Sequence, residues 1–74
     1  MSDRVDTGNQ EKLRILLPHW IEHNGEHAKE FRDWAERAGE AEESILAAAQ
    51  LVEEANARLD AALEMLGGPV EHHH

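Results

Sequence analysis

Leu13, Leu17, Trp20, Asn24, His27, Phe31, Trp34 and Ala38 follow one another at alternating steps of four and three. That alternation returns a side chain to one stripe of an α-helix at every turn. Beyond Gly39 it resumes with Ala41, Ile45, Ala48, Val52, Ala55, Leu59, Ala62 and Leu66, and stops at Gly67-Gly68-Pro69. The pattern predicts an all-α chain with helices over about 10–38 and 40–66. Residues 1–8 are polar with one isolated valine and read as a disordered lead-in, residues 9–68 as the helical unit, and residues 69–74 as a disordered tail.

Local signals refine the boundaries. Thr7-Gly8-Asn9-Gln10 has the spacing of a capping box, with Asn9 as an alternative cap. Pro18 interrupts the first helix, where it removes a backbone donor and crowds the preceding turn. The apolar stripe keeps its phase through Leu13, Leu16, Leu17 and Trp20, so a kinked continuous helix is expected rather than a break with Pro18 restarting the chain. Gly39 is suited to a left-handed cap, and Glu40, Glu42 and Glu43 after it favour a new helix start.

The heptad passes through Gly39 without a slip, so one long helix is the competing arrangement, at a cost of about 1 kcal/mol for the glycine. A hairpin is preferred. Folding at Gly39 brings bulky Trp20, Phe31 and Trp34 against Ala41, Ala48, Ala55 and Ala62, and large against small fills an interface without voids. Two helices leave outer apolar edges bare, here expected at Leu16, Ile21, Leu51 and Leu63. The expected closed state is therefore a homodimeric four-helix bundle, or a higher homo-oligomer.

Composition narrows the function classes. The net charge of −9 argues against nucleic acid and against an anionic membrane surface, both of which call for clustered Lys and Arg. No apolar run approaches the roughly 20 residues that span a bilayer, and the chain opens with no secretory pattern, so a cytoplasmic location is expected. The absence of cysteine excludes disulfides and thiolate metal sites. A chain of this size supplies little net core stability alone, which again favours self-association or a bound metal. Glu71 to His74 read as the remnant of a purification tag and are set aside.

Three of the six histidines then remain, and all lie in His19-Trp20-Ile21-Glu22-His23-Asn24-Gly25-Glu26-His27-Ala28-Lys29-Glu30. At about 100° per residue, His19, His23, His27 and Glu30 share a strip about 80° wide. Imidazoles one turn apart are how a helix offers two nitrogens to one ion. His23 and His27 are the leading metal ligands, with His19 and Glu30 as further donors. Glu26 or Glu53 would be a ligand or a carboxylate orienting an imidazole. Nitrogen and oxygen donors without sulfur suit zinc, nickel, cobalt or copper(II) better than calcium.

Folding at Gly39 sets residues whose numbers sum to about 80 at one height, given equal rise along both helices. His27 then comes level with Glu53, and Asn24 with Asn56. A polar layer of Asn24, His27 and Asn56 is expected in the middle of the hairpin, and burying such groups costs kcal/mol each unless they are satisfied. Metal would satisfy them. The alternative is a homo-oligomerisation or partner-docking module in which this His/Asn layer fixes register and the histidines bind nothing.

No Ser/His/Asp set, phosphate loop or catalytic carboxylate pair is present, and the residues after His19 and His23 are Trp20 and Asn24 rather than the glutamate of the zinc-protease motif. A non-enzymatic protein is expected. Glu26-His27-Ala28, with Trp34 and Arg37, resembles the metal-binding helix of encapsulated ferritins, although Asn24 stands where that family's pattern has a glutamate. The resemblance implies a two-helix chain that completes its bundle by association, with a metal site at the junction. Storage, delivery to a metal-receiving protein, or sensing are the expected roles.

Overall fold

A computed structural model describes residues 7–70. Helix α1 spans Thr7–Ala35 and helix α2 spans Glu42–Met65, joined through a short 3-10 turn at Gly39–Ala41. The two helices pack against each other, and the described residues contain no strand. The described residues form a helical hairpin, and no helix among them is long and apolar enough to cross a membrane.

Helix α1 begins inside the segment expected to lead in. The side chain of Thr7, and with it the capping-box expectation, lies outside the described residues, as does the expected tag remnant from Glu71 onward. The helix runs through Pro18 without a break. Its last turn tightens, with Arg37 N–H donating to the Trp34 carbonyl at 2.9 Å and Ala38 N–H to the Ala35 carbonyl at 3.0 Å. The chain then reverses through Gly39 at φ 60°, the left-handed conformation that costs a glycine nothing sterically.

At the other end, Gly67 and Gly68 also have positive φ, and Gly68 N–H donates to the Leu63 carbonyl at 2.9 Å. That is the wrapped glycine end of a Schellman motif. Arg14 closes the open end of the hairpin: its Nε donates to the Gly68 carbonyl at 2.6 Å and its Nη2 to the Gly67 carbonyl at 3.4 Å. One side chain near the start of α1 thus satisfies two carbonyls of the turn that follows α2.

The buried side chains are Leu17, Ala28, Ala35, Ala49 and Leu63. This corrects the expected stripe. Leu17, Asn24, Phe31 and Ala38 do face α2, but the row beside them is Ile21, Ala28 and Ala35, not Trp20, His27 and Trp34. Helix α2 makes the same rotation: Ala49, Asn56 and Leu63 accompany Ile45, Val52, Leu59 and Leu66, in place of Ala48, Ala55 and Ala62. Leu63, expected at a bare edge, is buried, and Ile21 is half-buried. The register still sums to about 80, as expected from equal rise. It sets Phe31 level with Ala49, Ala35 with Ile45, and Ala28 with Val52. Large still meets small, through different residues.

Candidate functional site

The polar layer forms with two members rather than three. Asn24 Nδ2 donates to Asn56 Oδ1 at 3.0 Å, and Asn56 Nδ2 donates to the Ile21 carbonyl at 2.9 Å. Both amides are half-buried and each engages its partner. A Cβ on Gly25 would stand 3.9 Å from Asn56 Nδ2, an ordinary contact. His27 is not in the layer. Rotation of α1 carries it to the outer flank, with its side chain 60% exposed.

The histidines divide into two sets on that outer surface. His19 and His23 stand one turn apart with ring centroids 4.5 Å from each other and planes at 58°. Both are exposed. Further along, His27 Nδ1 lies 3.8 Å from Glu30 Oε1, beyond hydrogen-bond distance, and its ring centroid is 6.3 Å from that of Phe31. Glu26 is exposed on the same stretch.

Glu53 is engaged elsewhere. Its two oxygens accept from Arg32 Nη2 at 2.7 Å and Arg32 Nε at 3.0 Å, a bidentate pair joining the helices. The hydrogen bonds from Arg32 hold the Glu53 carboxyl below the usual carboxylate range, against an opposing desolvation and with a lesser contribution from the guanidinium charge. Arg32 is raised in turn by the same hydrogen bond and charge. A carboxylate held this way is a clasp between α1 and α2, its two oxygens paired with Arg32. The signal was available in the sequence, since Arg32 on α1 and Glu53 on α2 are opposite charges within about a turn of the same height.

Among the described residues, no group of three or more histidine or carboxylate side chains converges closely enough to hold a metal ion, and no pocket opens between the helices. What one chain offers is a pair of adjacent imidazoles with room for other donors in front of them. Two nitrogens one helical turn apart can chelate a transition metal, leaving its remaining positions to water, a carboxylate or another chain. The aromatic residues do not form a binding box either. Trp34 is exposed, with the Arg37 guanidinium carbon 4.9 Å from its ring centroid, and Trp20 is exposed about four helical turns away from it.

Residues 13–66 match a family described as a domain of unknown function, DUF8180, and the chain belongs to that family. No curated protein and no solved structure matches it.

Proposed function

We propose that this DUF8180 member binds a divalent transition metal (zinc, nickel, cobalt or copper) through the outer face of α1, and serves in metal storage, delivery or sensing in the cytoplasm. His19 and His23 supply the first two donors. His27, Glu30 and Glu26 complete the coordination as the side chains of α1 rearrange. The bundle form of the protein is a homodimer of hairpins, and the protein that receives the ion is a separate partner. The role is binding, not turnover.

The observation that carries this reading is the adjacency of the His19 and His23 rings at 4.5 Å on an exposed helical face. Neutral imidazoles so placed chelate one ion through both nitrogens, and the flanking carboxylates raise the local cation concentration. The resemblance to the encapsulated-ferritin helix around Glu26-His27-Ala28 points the same way. The test is calorimetric titration of a chain ending at Val70, which removes His72 to His74, with zinc, nickel and cobalt. Binding with one dominant site that weakens at least about tenfold in His19→Ala and in His23→Ala supports the reading, on the scale by which loss of a ligand or its support lowers affinity. Affinity unchanged in both variants overturns it.

A second reading has its own support. The Asn24–Asn56 pair is satisfied by hydrogen bonds alone, as a register device in an oligomerisation or docking module needs. Under that reading the Val70-ended chain binds none of the three metals, while replacement of the asparagines changes its assembly.

A further inference from the structure

We propose that the hairpin face carrying Leu13, Trp20 and Trp34 on α1 and Leu51 and Met65 on α2 is covered by a second copy of the chain, each α1 lying antiparallel on its partner's α2. The inference rests on the reading of the chain as self-associating and names the surface responsible.

The exposed large apolar side chains are Leu13 (37%), Ile15 (53%), Trp20 (42%), Trp34 (57%), Leu51 (65%) and Met65 (86%). Their distribution is not even. On each helix, residues seven apart form a row. The row through Leu13, Trp20, His27 and Trp34 lies about 60° to one side of the row through Leu17 and Phe31, while Ile21, Ala28 and Ala35 lie about 40° to the other side. The intrachain interface uses the second side. In an antiparallel pair, rotations of the same sense on both helices emerge on the same face. The bulky row of α1 therefore runs beside Ala41, Ala48, Ala55 and Ala62 of α2, and Leu51 and Met65 stand in the next row of that same face. Ile15 alone turns to the opposite side.

A face made of one bulky row beside one small row is complementary to itself. A two-fold axis parallel to the helices lays the bulky row of each chain on the small row of the other, and it preserves height. The Asn24–Asn56 hydrogen bond fixes that height scale. On it, Trp20 falls between the partner's Ala55 and the partner's Ala62, and Trp34 between the partner's Ala41 and the partner's Ala48. His27 falls between the partner's Ala48 and the partner's Ala55. Each large side chain meets a gap between two alanines, as knobs meet holes in a bundle.

The edges agree. Leu16 comes level with the partner's Met65, apolar with apolar. A face about 36 Å long and about 20 Å wide presents roughly 700 Å² in plan, close to the roughly 800 Å² per partner of a stable complex. A second copy supplies both halves of this match at once, and it also supplies what the isolated hairpin lacks, since no large side chain among the described residues is fully buried.

The test is sedimentation equilibrium of the full chain across a concentration series, with tryptophan emission and acrylamide quenching on the same samples. Trp20 and Trp34 are the only tryptophans and there is no tyrosine, so the signal reports this face alone. A mass of two chains, with emission shifted to the blue and quenching reduced at least twofold as the dimer forms, is expected. The double variant Ala48→Glu/Ala55→Glu should be monomeric with its helical circular dichroism retained, and Ile15→Glu should remain dimeric. A chain that stays monomeric to millimolar concentration overturns self-association and this face with it. A dimer whose tryptophans remain as quenchable as in the dilute chain, or that depends on Ile15, overturns the face while leaving self-association standing. Should the double variant lose its helix, Leu16→Cys mixed with Met65→Cys under oxidation decides. A mixed disulfide linking the two variants supports the face, and its absence from a dimeric mixture overturns it.

Discussion

Asn24 and Asn56 meet across the hairpin through a 3.0 Å hydrogen bond, and Asn56 also donates to the Ile21 carbonyl at 2.9 Å. Two amides from opposite helices thus satisfy each other in an interface whose buried side chains are all apolar. Slipping one helix past the other by a turn would leave both without partners, at about 1–3 kcal/mol for each buried group left unsatisfied. The pair selects one register out of several that the alanine-rich helices would otherwise accept.

Asn56→Ala therefore leaves the Asn24 amide without its acceptor, and urea denaturation should show a loss of about 1–2 kcal/mol, the lower part of that range because the site is half-buried. Asn24→Ala should cost a similar amount, and the double variant less than the sum of the two. Additive losses in a double-mutant cycle would contradict direct coupling. Asn24→Leu/Asn56→Leu should be at least as stable as the parent but assemble into more than one species by sedimentation.

Arg14 ties the start of α1 to the end of α2 through the carbonyls of Gly67 and Gly68. Arg14→Ala should lower stability by about 1 kcal/mol and increase amide exchange through residues 63–68, since those carbonyls and the wrapped turn lose their support. Lysine lacks the planar fork that reaches both carbonyls, so Arg14→Lys should recover less than half of the loss. Full recovery by lysine would show that charge near the helix end, not the paired hydrogen bonds, is what matters.

Gly39 sits at φ 60°, and a Cβ there would meet nothing within 4 Å. The cost of Gly39→Ala is thus conformational alone, about 1 kcal/mol, with Gly39→Asn cheaper because asparagine tolerates the left-handed region. The substitution also favours the straight-through helix that the unbroken heptad permits. Small-angle scattering of Gly39→Ala should show the hairpin retained with a lower melting temperature. A chain of roughly doubled length would mean that packing between α1 and α2 is weaker than the cost of the turn.

The Arg32–Glu53 clasp gives a pH dependence of defined sign. Hydrogen bonding and charge lower the folded-state pKa of Glu53 below its unfolded value. Its contribution is therefore complete above the ordinary carboxylate range and is lost as the pH falls through the depressed folded value. Arg32 is raised and stays charged throughout that window. Thermal unfolding should show an acid-side loss of stability that is shallower in Glu53→Gln, and the Glu53 carboxyl carbon should titrate below the ordinary carboxylate range by NMR. Because both side chains are close to half exposed, added salt should reduce the effect.

Metal affinity in the Val70-ended chain should fall as the pH is lowered, because a proton competes for the same imidazole nitrogen that the ion uses. Competition titrations with a colorimetric chelator across pH 5.5 to 8 measure the slope. Affinity flat over that interval would point to carboxylate rather than imidazole ligation.

The positions of both helices, the reversal at Gly39, the unbroken passage through Pro18 and the matching of Asn24 with Asn56 were all legible in the sequence. They follow from local rules: a heptad that keeps phase, glycine at a left-handed turn, and equal rise along two antiparallel helices. Which of three adjacent rows each helix turns inward was not local information. The four-three alternation from Leu13 to Ala38 names a stripe wide enough for two interfaces, and the largest residues on it suggested the wrong one. Alanines at 28, 35 and 49 let the backbones approach closely, so the hairpin closes on its small residues and leaves Trp20 and Trp34 outside. That rotation moved His27 out of the polar layer and left Glu53 to Arg32. The histidine spacing by itself determined that His19 and His23 would be neighbours, because one helical turn separates them whatever the helix packs against. Only the packing of α1 on α2 decided that they look outward, since a helix face is buried or exposed according to what closes against it.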